Sequence, residues 1–224
     1  MSQFVRPSVL TFDCYGTLVD WETGQRRVFM EILSKKQANV TLEEFTRTFS
    51  TCQFHLTKGA YQPYRNILKS SLAQTLAHFD IAYDPADGEA LVASMPEWEP
   101  FPEVPAALER LKERYKLCII SNTDNEIMAE TLKRIGVRFD EVVTAMDSKA
   151  YKPDFRPFQL AQHRVEADGS KIMHICCDLE YDVAVAKQLG WQTVLVDRGQ
   201  ALSGSARPDY SFGNFHEVLK LLDY

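Results

Sequence analysis

Four polar clusters stand at the ends of apolar runs in this chain, and their residue types suit a nucleophilic displacement. Asp13 ends the run 8–12. Ser121 and Asn122 end the run 117–120. Lys152 follows the short run 141–144 by a loop, and Asp178 and Asp182 follow the run 172–176. A carboxylate can attack an electrophile and form an ester that water then hydrolyses, dividing one hard step into two. It must be ionised to do so, and a cation such as Lys152 nearby lowers a carboxyl pKa. Thr17 and Ser121 carry hydroxyls that can donate to that carboxylate or to a bound anion. Gly16 permits the sharp turn needed just past a strand. Turns use Asp, Asn and Ser for backbone reasons too, so one such residue would mean little. Four successive ends loaded this way read as a site.

The elements that must position these groups are legible as well. The apolar runs 8–12, 117–120, 141–144, 172–176 and 193–196 read as strands of a parallel sheet covered on both faces. Amphipathic patterns at 106–115, 126–135, 155–165 and 181–189 alternate with the later strands, which indicates an α/β domain with right-handed crossovers. Ligands of such sheets bind beyond the carboxyl ends of the strands. Between about residues 20 and 95 the alternation stops. Helices are expected there at 24–36, 42–58 and 64–79, with a short fourth at 88–95. Thr41 and Glu44 fit a capping box, and the proline-rich stretch 96–102 reads as a rigid return to the core.

With these motifs in order, the chain resembles the haloacid dehalogenase superfamily of hydrolases. Asp13-Cys-Tyr15-Gly-Thr17 is similar to its nucleophile motif, Ser121 to its strand-end hydroxyl, Lys152 to its lysine, and Asp178 with Asp182 to its acidic motif. The resemblance implies a Rossmann-like α/β core, residues 1–17 and 98–224, with an inserted all-helical cap domain at 18–97. The site would lie in the cleft between them, with cap movement controlling access of water.

Tyr15 is the discriminating residue. Phosphatases of the superfamily usually carry a second aspartate two residues after the nucleophile, to protonate the leaving alcohol. A phenol, with an unperturbed pKa near 10, is a poor substitute near neutrality, whereas halide leaves without a proton. The 2-haloacid dehalogenases of the superfamily carry a tyrosine in a similar motif. Their likeness implies Asp13 as nucleophile, with Lys152, Thr17, Ser121 and Asp182 as its catalytic partners, and a short 2-haloacid converted to a 2-hydroxy acid. Tyr15 and Asn122 would bind the substrate. By placement in the second cap helix, Arg47 is the candidate for the halide side, with Arg65 and Arg27 behind it.

Two departures keep other readings open. The fourth motif holds Cys177-Asp178 where those dehalogenases tend to have Ser and Asn, and Phe158 stands where they tend to have a tyrosine. The dehalogenase reading needs no cofactor. The alternative is a magnesium-dependent phosphatase, with Mg2+ held by Asp13, Asp178 and Asp182 through oxygen. A non-catalytic binding protein is the third reading.

Composition narrows the partners. A net charge of −6 over 224 residues argues against nucleic acid or an acidic membrane surface, and is compatible with a small anionic substrate held by a local field. A homodimer is left open by the resemblance. Five cysteines without a Cys-x-x-Cys pair suggest neither a disulfide framework nor a zinc site. No secretory signal or membrane span is evident, so a cytoplasmic protein is expected. His174, inside an apolar run, reads as a core residue, and Cys177 as a passive thiol. Trp21 and Tyr181 could wall the pocket or simply pack.

Overall fold

The structure is a computed structural model, and it describes residues 4–199 and 204–223. Six strands form one parallel sheet: β1 (Val9–Phe12), β2 (Lys116–Ser121), β3 (Glu141–Thr144), β4 (Ile172–Cys176), β5 (Gln192–Val196) and β6 (Tyr210–Phe212), in the order β3-β2-β1-β4-β5-β6. The chain therefore builds outward from β1 on one side and then returns to build from β4 on the other. The crevice where this direction reverses lies at the carboxyl ends of β1 and β4, the place where open α/β sheets bind ligands.

The four central strands, β1, β2, β4 and β5, are almost wholly buried because both faces are covered. Leu10, Phe12, Leu117, Ile119, Met173, Ile175, Val194 and Val196 pack on one face. They meet α5 (Val104–Lys112), α6 (Asn125–Ile135) and α10 (Phe215–Leu222). Val9, Cys118, Ile120, Val143 and Ile172 pack on the other, against α8 (Phe155–Val165) and α9 (Ala184–Gln188). A short α7 (Ala145–Ser148) links β3 to the loop that carries Lys152.

The expected helical insert is present as α1 (Trp21–Lys35), α2 (Leu42–Thr57), α3 (Tyr64–His78) and α4 (Pro85–Ser94). Thr41 caps α2 with the reciprocal Glu44 bond that the sequence indicates. Two helices begin earlier than expected, and in both the cap explains it. Asp20 accepts a bond from the Thr23 amide at the start of α1, and Asp84 caps α4 with Pro85 at its first position. The insert has its own aromatic centre: Phe29 meets Phe45 at 5.0 Å and Phe49 at 4.9 Å. Its two connections run side by side, Asp20 N–H donating to Glu99 O and Phe101 N–H to Leu18 O. No described helix is long and apolar enough to cross a membrane.

Strand β6 and helix α10 were not among the expected elements. The strand is three half-exposed residues at the sheet edge, too short for a periodic signal.

Candidate active site

Asp13 is the first residue beyond β1, and its amide still bonds to Ile175 O of β4 at 3.1 Å. Its carboxylate is thereby fixed at the crevice, buried except for 8% of the residue surface. Thr17, one turn on, donates to Oδ2 at 2.8 Å, while Lys152 Nζ donates to Oδ1 at 2.8 Å. Lys152 also donates to Asp182 Oδ1 at 2.6 Å. One buried ammonium thus bridges two buried carboxylates.

Gly16 makes the turn between Asp13 and Thr17. Its φ is +98°, and a Cβ there would lie 2.8 Å from Cys177 Sγ and 2.9 Å from the Trp21 indole nitrogen. Only glycine suits both the torsion and the space. Arg198 secures the same loop, donating to Thr17 O at 3.0 Å and to Glu103 at 2.6 Å, its guanidinium 3.8 Å over the Phe101 ring.

Asp182 arrives by an unusual route. Asp178 accepts the Tyr181 amide at 2.6 Å and starts a π-helical turn, Leu179–Val183, a rare geometry that recurs at functional sites. The wider turn places Asp182 against Lys152. His174 of β4 completes the arrangement: its Nε2 lies 3.0 Å from Asp182 Oδ1 and its Nδ1 lies 2.8 Å from Thr11 Oγ1.

The charges set one another. Burial pushes the Asp13 carboxyl above the usual carboxylate range, with Lys152 pulling it back and Asp182 adding to the rise. Burial works in the same direction on Asp182, but Lys152 and His174 outweigh it and hold that carboxyl low. Burial alone would discharge Lys152. The two carboxylates prevail and raise its pKa above the ordinary lysine value. Asp178, half-buried, is pushed up to about 6 by burial first, partly offset by the Tyr181 amide, with the Asp182 charge adding to it.

Five of the expected site residues, Asp13, Thr17, Ser121, Lys152 and Asp182, stand at or beside the crevice, and Ser121 Oγ is buried there without a protein partner. Asn122 is committed elsewhere: its Oδ1 accepts the Lys152 amide at 2.7 Å and its Nδ2 donates to Lys152 O at 3.2 Å. It grips the lysine's main chain rather than facing a ligand. The Tyr15 hydroxyl is also committed. Thr131 spends its own proton on Ile127 O, so the Tyr15 phenol donates to Thr131 at 2.8 Å, and burial raises its pKa well above the ordinary value.

The arginine expectation does not fit the structure. Arg47 is exposed on α2, because the helix buries Phe45 and Phe49 and residue 47 falls on the opposite side. Arg65 is bonded to Asp124 and Glu126, and Arg27 is exposed on α1. Phe158 packs edge-on to His174 at 5.4 Å and to Trp191 at 5.7 Å, as part of the core. Tyr181 meets Phe54 of α2 edge-on at 6.2 Å. Cys177 Sγ lies 3.9 Å from Asp13 Oδ2, its thiol pushed up by burial.

The residues that would hold magnesium do not fit it as arranged. Lys152 Nζ lies between Asp13 and Asp182, where a cation would bridge them, and Asp178 is turned into its helical cap. Among the described residues no three His, Cys, Asp or Glu side chains gather as a metal site.

A family profile for haloacid dehalogenase-like hydrolases matches residues 7–190. The chain belongs to that family. Named relatives span nearly its whole length. An (S)-2-haloacid dehalogenase of Pseudomonas sp. (strain YL) is 25% identical, covering 96% of this chain and 94% of its own. The (S)-2-haloacid dehalogenase 4A of Burkholderia cepacia is also 25% identical, over 94% and 90%. A crystal structure of a dehalogenase with an intermediate complex superimposes with a TM-score of 0.86 at 22% identity, covering 99% of this chain and all of that one. This hydrolase is (S)-2-haloacid dehalogenase-like.

Proposed function

We propose that this hydrolase removes halide from short 2-haloacids through an ester on Asp13. The observation that carries the reading is the position two residues after Asp13. It holds Tyr15, whose hydroxyl is tied to Thr131, so no second carboxylic acid stands there to protonate a leaving alcohol. Halide needs no such proton. The names of the full-length relatives support the same reading.

In the first step an Asp13 oxygen attacks the carbon bearing halogen. The carbon–oxygen bond forms as the carbon–halogen bond breaks, and halide leaves with the electron pair. Lys152 keeps the attacking carboxylate ionised, and Thr17 holds it still. Ser121, whose hydroxyl has no partner among the described residues, donates to the substrate carboxylate in this reading. In the second step Asp182 takes a proton from water, whose oxygen attacks the Asp13 carbonyl carbon. The tetrahedral adduct collapses, the substrate oxygen leaves with the proton from Asp182, and the remaining water proton is released as Asp13 returns to carboxylate. No step uses a metal.

Halide and phosphate release, run side by side on 2-chloropropionate, haloacetates and a phosphate-ester panel, with and without magnesium, tests this. Halide release that is indifferent to chelator is expected. In Asp13→Asn it should fall at least about a thousandfold. Because burial raises the Asp13 carboxyl, the acid limb of kcat/KM should lie above the ordinary carboxylate range. Chelator-sensitive phosphate turnover with no halide released would overturn the proposal.

A further inference from the structure

We infer that His174, backed by Thr11, is a positioning residue for the second half-reaction, holding Asp182 so that its carboxylate faces the ester on Asp13. The inference rests on the hydrolase mechanism above and assigns a device that the motifs do not contain.

The placement follows from register. Thr11 and His174 are direct partners across β1 and β4, so their side chains emerge side by side from one face of the sheet. Thr11 is two residues before Asp13, and His174 is eight before Asp182. Both are wholly buried. The imidazole is walled by Phe158 and by Trp191, whose centroid lies 6.3 Å away. A buried polar ring is costly unless its nitrogens are bonded, and here both are, at 2.8 and 3.0 Å. Ile172, on the same face two residues earlier, shows that the strand accepts an aliphatic side chain in this layer.

Proton placement gives the direction of the bonds. An ionised carboxylate only accepts, so Nε2 carries the hydrogen that goes to Asp182 Oδ1. Nδ1 pairs with the Thr11 hydroxyl. Lys152 and His174 both bond to Oδ1. Two donors, one from the loop after α7 and one from the middle of β4, fix the plane of the carboxylate, and Oδ2 takes no hydrogen bond among the described residues. It is the oxygen left to receive a proton from water. Lys152 alone would hold the charge of Asp182 but not its rotation.

Three variants and one spectrum test this. His174→Phe keeps an aromatic ring against Phe158 and Trp191 but loses the donor. It should release the first equivalent of halide at the wild-type rate and then turn over about 10- to 100-fold more slowly, with the Asp13 ester accumulating in intact-mass spectra. His174→Gln, whose amide nitrogen is as many bonds from the backbone as Nε2, should recover most of the rate. Thr11→Val should cost several-fold. A merely structural histidine would not separate the first equivalent of halide from turnover. Wild-type kcat in His174→Phe, or equal slowing of both steps, overturns the inference. If the wild type releases no halide, the dehalogenation reading fails separately. Proton NMR then decides this one: a slowly exchanging imidazole N–H that shifts in Asp182→Asn supports it, and a ring without such a proton overturns it.

Discussion

Asp13 and Asp124 are both carboxylates set just beyond a strand end, both deeply buried, and both paired with a cation. Their surroundings differ in kind. Asp124 accepts three bonds, from the Tyr64 and Arg65 amides at 2.7 and 3.0 Å and from Arg65 Nε at 3.0 Å. Two of those donors are the otherwise orphaned first amides of α3, so a core carboxylate serves as the cap for a helix of the insert. Tyr151 adds a bond to Gln62 O at 2.8 Å beside it. Asp13, by contrast, shares its one cation with a second carboxylate. The same residue type is inert where three preorganised donors meet it, and reactive where the charge is held but not quenched. One aspartate fastens the insert to the core; the other is left able to form a bond.

Substitutions can break this contrast. Lys152→Met should have the largest effect on the fold, since it leaves two buried carboxylates uncompensated. A loss of about 3–5 kcal/mol in urea unfolding is expected, together with loss of turnover. The deficit should shrink as pH falls and the carboxylates take up protons. Asp124→Asn should cost about 1–3 kcal/mol, the scale of a buried hydrogen-bond partner lost, while the step at Asp13 survives. Equal loss of chemistry in both variants would erase the distinction.

Asp178 sharpens the comparison from the other side. Its carboxyl is raised to about 6, so the folded state disfavours the charge and gains stability as pH falls through 6 toward the unfolded value. Asp178→Asn keeps a capping side chain without the charge. It should be more stable than wild type by about 1–2 kcal/mol above pH 6, with the gap closing near pH 4. Calorimetry across that range would show it, and a gap that widens on acidification would refute the sign. Arg47→Ala should do least: within about 0.5 kcal/mol in stability and within twofold in turnover. A large loss of halide release would bring that arginine back to the site.

Much of this arrangement was readable from the chain. Strand-end placement brought Asp13, Thr17, Lys152 and Asp182 to one crevice, because a parallel sheet aligns its carboxyl ends. The rest depended on information that local pattern does not carry. His174 looked like a core residue and is one; its link to Asp182 needs the β1–β4 register and a π-helical turn, neither of which has a sequence signature. Tyr15 and Asn122 were placed in the right neighbourhood, but the partners that engage them, Thr131 and the Lys152 main chain, lie 116 and 30 residues away. Arg47 is different. The Phe45 and Phe49 spacing already puts residue 47 on the far side of α2, and helical phase outweighs placement by likeness. The C-terminal helix also had a signal: Asn214 caps it, and Phe215, Val218 and Leu222 form its buried stripe.

The grip of Asn122 on Lys152 has a consequence for tolerance to change. A side-chain amide at the end of β2 mimics a neighbouring peptide unit, so the lysine is indexed to the sheet and not to the segment that delivers it. Substitutions at Lys149, exposed just past α7, should therefore leave the ammonium in place. That position is the place to label this enzyme without retuning its chemistry.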